Sequence, residues 1–282
     1  MNTTPPPRTL AGTSHPQVRD RVTQHLQAVD QAIPGLIEML YLTGSVALDD
    51  YRPHASDIDF LAVTSRPLND DDLPVLARIH ARIPSAPYYD GLYLDRATLT
   101  ATPDDEQIVP HIVNGDFHTD QPCGELNPVL WLTLTRYGIP ARGPQPADLP
   151  VRVDPQRLRQ WNLNNLKTYW QALANRIREV ATERGPDATA STDTVTWTVL
   201  GPARLHYTLA TGDVTSKSGA GAYAAQQFPA WTALTTLARS HRDGNSVTYT
   251  MTDAVAAAAM VDAIVTDAWT RWGQPDHAHP AT

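Results

Sequence analysis

The chain has 282 residues, 41% of them apolar, which is enough for two domains of ordinary size, each with its own core. Its formal net charge of −8, with no visible basic stripe, argues against a nucleic-acid partner and suits a small cationic one better. A single cysteine, Cys123, excludes an internal disulfide and a cysteine metal cluster, as expected of a cytoplasmic protein, and no apolar run reaches membrane-spanning length.

Residues 1–15 are rich in Pro and Thr, lack an apolar core, and read as a flexible tail, not a signal peptide. A helix is predicted over 17–33, where Val18, Val22, Leu26, Val29 and Ile33 recur at helical spacing, and Pro34-Gly35 ends it. A first strand over 36–43, a short helix over 46–51 and a second strand over 59–64 follow. Residues 70–83 repeat the helical pattern through Leu73, Leu76, Ala77, Ile79 and Ile83, and a third strand runs over 88–94. This alternation predicts an α/β (α+β) domain on a small mixed sheet, spanning 16–150. The Pro-, Gly- and Arg-rich stretch 138–153 reads as an interdomain linker.

From 151 to 282 the pattern is helical, which predicts an all-α bundle. Leu158, Trp161, Leu166, Tyr169, Leu173 and Ile177 mark its first helix, with Trp161, Tyr169 and Trp170 read as core. Further helices are predicted over 201–210, 216–228, 229–241 and 252–272. Residues 184–193 read as a mobile surface loop and 273–282 as a frayed tail, with His277 and His279 solvated.

Gly44-Ser45, at the end of the first strand, stands twelve residues ahead of the pair Asp57-Ile58-Asp59, which opens the second. Glycine lets the backbone approach a triphosphate, and the Ser45 hydroxyl and neighbouring N–H groups suit its oxygens. In a strand, residues i and i+2 share a face, so Asp57 and Asp59 stand side by side. Two adjacent carboxylates repel each other unless a hard dication neutralises them, and Mg²⁺ takes oxygen ligands. Glycine-serine turn, loop and carboxylate-bearing strand, in that order, form the layout of a nucleotidyl-transfer site.

Such a site also needs a group that accepts a proton from the attacking hydroxyl. Asp90 opens the third strand, thirty-one residues after Asp59, and Gly91 beside it is read as leaving room for substrate. Asp95, on the opposite face, is the competing choice. Two Mg²⁺ ions held by Asp57 and Asp59, with Asp90 as base or shared ligand, would bridge ATP. His111 and His118 lack Cys or carboxylate partners at ligand spacing and read as loop histidines, not zinc ligands. Trp131, near Arg136, reads as packing between domains, and Cys123 as inert.

On these motifs the chain resembles the aminoglycoside nucleotidyltransferases, most closely the streptomycin/spectinomycin 3''(9)-adenylyltransferases. Asp90 stands where that family carries a glutamate as catalytic base. Asn114-Gly115-Asp116-Phe117 resembles the family's Phe-Gly-Glu-Trp stretch, which makes Asp116 and Phe117 acceptor-site candidates. Ala203-Arg204-Leu205-His206-Tyr207, followed by Thr211-Gly212 and Lys217, is similar to the family's Ser-Arg-Ile-Trp-Tyr…Thr-Gly…Lys segment. The resemblance implies that Arg204 and Lys217 serve the nucleotide and that Asp193 and Trp197 replace the family's acidic acceptor stretch. It implies ATP as co-substrate, a small cationic antibiotic as acceptor, and a monomer or homodimer. The shorter base, the smaller ring at Phe117 and the altered stretch 192–197 depart from the family pattern and leave other acceptors open (tRNA, a protein or a biosynthetic small molecule). A non-catalytic antibiotic- or nucleotide-binding protein is the reading from outside enzymology.

Overall fold

The computed structural model describes residues 9–84 and 86–273; His277 and His279 lie outside the described residues. The chain divides into two compact units between Asp154 and Pro155.

After a 3-10 turn at Leu10–Gly12, the first unit runs α1 (Pro16–Ala32), β1 (Ile37–Leu42), α2 (Gly44–Ala47), β2 (Ile58–Thr64), α3 (Asp72–His80) and β3 (Tyr89–Asp95). It continues with α4 (Arg96–Thr100), β4 (His111–Val113), β5 (Asp116–His118), α5 (Pro128–Tyr137) and β6 (Ile139–Arg142). The six strands form one mixed sheet in the order β5-β4-β3-β2-β1-β6. β2 and β3 pair in parallel and the other neighbours pair antiparallel. β2 and β3 bury both faces, so their apolar residues run nearly unbroken instead of alternating with polar ones. One face carries Phe60, Ala62, Tyr89 and Tyr93 against Val18, Val22 and Val29 of α1. The other carries Leu61, Val63, Leu92 and Leu94 against Trp131 and Leu134 of α5.

The helical unit comprises α6 (Pro155–Asn165), a π-helical turn (Leu166–Trp170), α7 (Gln171–Arg184), β7 (Thr189–Ala190), α8 (Thr192–Thr211), α9 (Lys217–Gln227), α10 (Thr232–Arg242), β8 (Tyr249–Thr250) and α11 (Met251–Trp272). Its core gathers around α11, where Ala254, Ala257, Ala258, Val261, Ile264 and Ala268 are buried. Small residues at this spacing allow close helix approach, and a Thr250/Asp253 capping box fixes the start of α11.

Several expectations need correction. Residues 139–142 are the edge strand β6, paired with β1, and not part of a linker. An edge tolerates Pro140, whose missing N–H breaks no inner ladder. The stretch 184–193 is not simply a loop: Thr189–Ala190 pairs with Tyr249–Thr250, and α8 begins at Thr192. α8 starts nine residues before the predicted Gly201 because Ser191 caps it, accepting from Thr194 N–H. The β-branched run 192–198 hides its helical character. Trp131 is buried in the first unit's own core, and His111 and His118 face each other across β4 and β5. Among the described residues, no helix is long and apolar enough to cross a membrane.

Candidate active site

The parallel pairing of β2 with β3 sets Asp59 directly beside Asp90, with Ile58 beside Tyr89. Thr43, at the end of β1, donates its N–H to Asp59 O at 3.0 Å, so the glycine-serine turn is tied to the same strand. Gly44 follows with φ of 54°, and a Cβ there would fall 1.8 Å from Asp59 Oδ2. Only glycine fits: the left-handed backbone and the carboxylate filling the side-chain space both exclude a larger residue. Ser45 Oγ lies 3.4 Å from Asp57 O, a long hydrogen bond that links the turn to the other carboxylate residue.

Asp90 is held by backbone. Asn114 donates its N–H to Oδ2 at 2.7 Å and Gly115 donates to Oδ1 at 3.0 Å. The two donors form the turn between β4 and β5, with φ of 53° at Asn114 and 80° at Gly115, the signs a two-residue type I′ hairpin requires. Burial pushes the Asp90 carboxyl above the usual carboxylate range; the two amides oppose this, and the charges of Asp57 and Glu125 add to it. Asp95 has a different task. It caps α4, accepting from Thr98 N–H at 2.8 Å.

The donor set suits a hard dication: Asp59 in β2 and Asp57 just before it both offer carboxylate oxygens, and Gly44 leaves the Asp59 carboxylate its space. Asp90 turns one lone pair of each oxygen to the hairpin amides, which leaves further lone-pair sites for a proton or a shared ligand. Among the described residues, no group of three His, Cys, Asp or Glu side chains is disposed to hold a metal ion.

Two family models match the chain. One, a nucleotidyltransferase domain, matches residues 22–97; the other, the C-terminal domain of aminoglycoside adenylyltransferase, matches residues 165–267. The two matches together support an aminoglycoside adenylyltransferase family member. The chain is therefore a nucleotidyltransferase, with the catalytic domain first and the helical domain after it. Its fold is similar to the crystal structure of the spectinomycin adenyltransferase AAD(9) from Enterococcus faecialis with ATP and spectinomycin. The TM-score is 0.64 at 15% identity, over 88% of this chain and 98% of that one. No curated protein matches the sequence.

Gly91 makes room for Phe60 and not for a ligand: a Cβ there would lie 2.2 Å from Phe60 O. Phe117 is half-buried, its ring stacked on His80 at 5.9 Å and edge-on to Tyr93 at 6.4 Å, so it packs the core from β5. Asp116, its neighbour, is exposed. Burial pushes the Cys123 thiol up to about 11, which keeps it protonated.

In the helical domain, Arg204 Nε donates to Thr215 O at 3.4 Å. Lys217 Nζ lies 5.1 Å from the centre of the Trp197 ring. Asp193 is 95% exposed in the first turn of α8, where His241 Nε2 meets Oδ1 at 3.2 Å. Three groups that act on the Asp90 carboxyl were not assigned that part from the sequence. The Asn114 and Gly115 amides were signalled by an Asn-Gly pair, the strongest short hairpin signal. Glu125, whose charge acts on Asp90, carried no signal.

Gly44→Ala is expected to keep the fold and lower kcat/KM by on the order of 10²-fold or more, the scale of a 1 Å misplacement of a reacting group. Steady-state kinetics beside a thermal melt checks this; near-parental activity would show that the contact between Gly44 and Asp59 has no part in turnover.

Proposed function

We propose that this protein transfers AMP from ATP to a hydroxyl group of a small cationic antibiotic of the streptomycin/spectinomycin kind, in the cytoplasm, and thereby confers resistance. The observation that carries this reading is the register of β2 against β3, which sets Asp90 beside Asp59 at the strand end bordered by Gly44. Asp57 and Asp59 hold Mg²⁺, two ions in the full complex, and the metal supplies charge neutralisation at the triphosphate. Gly44 and Ser45 present the turn to the phosphate oxygens.

Asp90 takes the proton as the acceptor oxygen attacks the α-phosphorus and pyrophosphate leaves. A carboxylate offers about four lone-pair sites, so Asp90 can accept from a substrate hydroxyl while it keeps both turn amides. Arg204 and Lys217 offset triphosphate charge, as the family segment implies. Asp116 and Asp193 are exposed carboxylates suited to a cationic acceptor, whereas Phe117 and Trp197 act through packing.

Mass spectrometry of the protein with ATP, Mg²⁺ and a panel of streptomycin, spectinomycin and 2-deoxystreptamine aminoglycosides tests the reading. A gain of one AMP on a panel member is expected, abolished by EDTA and restored by excess Mg²⁺. Pyrophosphate release with cell extract but no antibiotic product would move the acceptor outside this class. A product formed equally well in EDTA would remove the metal from the proposal.

A further inference from the structure

The π-helical turn Leu166–Trp170 between α6 and α7 changes what the helical domain presents. One extra residue in the turn shifts the helical phase, so Leu166 and Trp170 are buried while Tyr169 is 48% exposed. Trp269 of α11 pins the turn, donating its indole N–H to Leu163 O at 3.3 Å, and Lys167 Nζ lies 5.0 Å from the Trp269 ring. Turns of this kind interrupt the regular hydrogen-bond ladder and recur at functional sites.

What Tyr169 reaches gives the turn a purpose. Trp197 of α8 donates its indole N–H to Tyr169 Oη at 3.1 Å. The same indole packs against Trp170, ring centres 5.1 Å apart, and carries the Lys217 ammonium 5.1 Å from its centre. The N–H is committed to Tyr169, and the ring to Trp170 and Lys217. Trp197 is thus organised to hold a cation, not to stack a ligand. A ring fixed at its edge holds the cation above it in one place, and a cation–π contact at a partly exposed site gives a modest, directional restraint.

We infer that Tyr169 is a positioning residue for the nucleotide: through its hydrogen bond it fixes the Trp197 indole, whose face sets the Lys217 ammonium for the triphosphate. This rests on the nucleotide role of Lys217 proposed above. Tyr169→Phe removes the acceptor oxygen and keeps the ring, so the domain core is untouched. Lys217→Ala removes the cation itself.

Calorimetry of the full-length protein with Mg²⁺ and a non-hydrolysable ATP analogue needs no acceptor and separates the cases. Tyr169→Phe should weaken binding roughly two- to five-fold, the scale of one exposed cation–π contact. Lys217→Ala should weaken it further, and Tyr169→Phe should then add nothing in the Lys217→Ala background. Unchanged affinity in Tyr169→Phe, or the same loss with and without Lys217, would overturn the inference while leaving the role of Lys217 standing. Parental affinity in Lys217→Ala would overturn the nucleotide reading of Lys217 and the inference with it.

Discussion

Asp90→Asn protein is expected to lose 10²- to 10⁴-fold in kcat, the usual contribution of a positioned general base, while it remains folded. The substitution also disturbs a structural contact, because an amide oxygen can accept from only one of the Asn114 and Gly115 N–H groups and the amide nitrogen then faces the other. That disturbance is worth roughly 1–3 kcal/mol of stability, so a loss of turnover through the turn alone has to be distinguished from loss of the base. Asn114→Ala supplies the comparison. It strains the same turn, since alanine at a φ of 53° costs about 1–2 kcal/mol, yet it leaves the carboxylate in place. If Asp90 is the base, Asn114→Ala should keep kcat within about tenfold of the parent, well short of the loss a missing base causes, at a comparable drop in urea midpoint. Equal losses of kcat in the two proteins would reduce Asp90 to a fastener for the hairpin. Asp90→Glu, which restores the residue the family carries, should retain measurable turnover.

The features that set the catalytic domain were legible because they depend on short-range pattern. The Asp57-Ile58-Asp59 pattern marked the carboxylate pair at the entry to β2, and the apolar runs of β2 and β3 marked two buried neighbours whose second residues are Asp59 and Asp90. The helical domain showed itself through the repeat that ends at Trp272. Features set by tertiary context were not legible. Pro140 and Gly143 suggested a linker, but a sheet edge accepts proline, and β6 pairs there. Gly91 looked like space for a substrate until the parallel register brought Phe60 O against it. Phe117 alternates correctly along β5, yet which side of the sheet it faces depends on the hairpin that Asp90 anchors. Tyr169 falls on the apolar stripe of an ideal helix, and only the π-helical turn, invisible to any fixed period, carries it outward.

Acid should destabilise the catalytic domain well above the pH at which its carboxylates protonate. His25 is buried beneath β3, its Nδ1 3.0 Å from Tyr89 Oη and its Nε2 2.6 Å from Tyr93 Oη, and His80 Nε2 lies 2.7 Å from that same Tyr93 oxygen. One hydroxyl proton serves two imidazoles here: Tyr93 donates to one and accepts from the other, which neutral rings satisfy completely. Phe60 stacks on His80 at 5.8 Å and on Tyr89 at 4.6 Å, closing the cluster against water. Burial accordingly pushes His25 well below the ordinary histidine range, with His80 and Arg142 adding repulsion, and brings His80 down to about 4.

The unfolded chain binds protons at both histidines from about pH 6.5 downward while the native state does not, so stability is full above 6.5 and is lost as pH falls toward 4. Each group costs about 1.4 kcal/mol per pH unit in that window. His80 alone removes roughly 2 kcal/mol by pH 5, and His25 acts in the same direction, against the 5–15 kcal/mol typical of a domain. The carboxylates of Asp30, paired with Arg142, and Asp72, paired with Arg66, are held below their usual range and lose their contribution only at lower pH. Asp90, held above its range, shifts stability the other way, but its turn amides limit that single effect. The expected result is a steep fall in the urea midpoint of the catalytic domain between pH 7 and pH 5, with net proton uptake on its unfolding at pH 5. A midpoint that stays flat across that interval would mean the His25–Tyr93–His80 cluster accepts charge without opening.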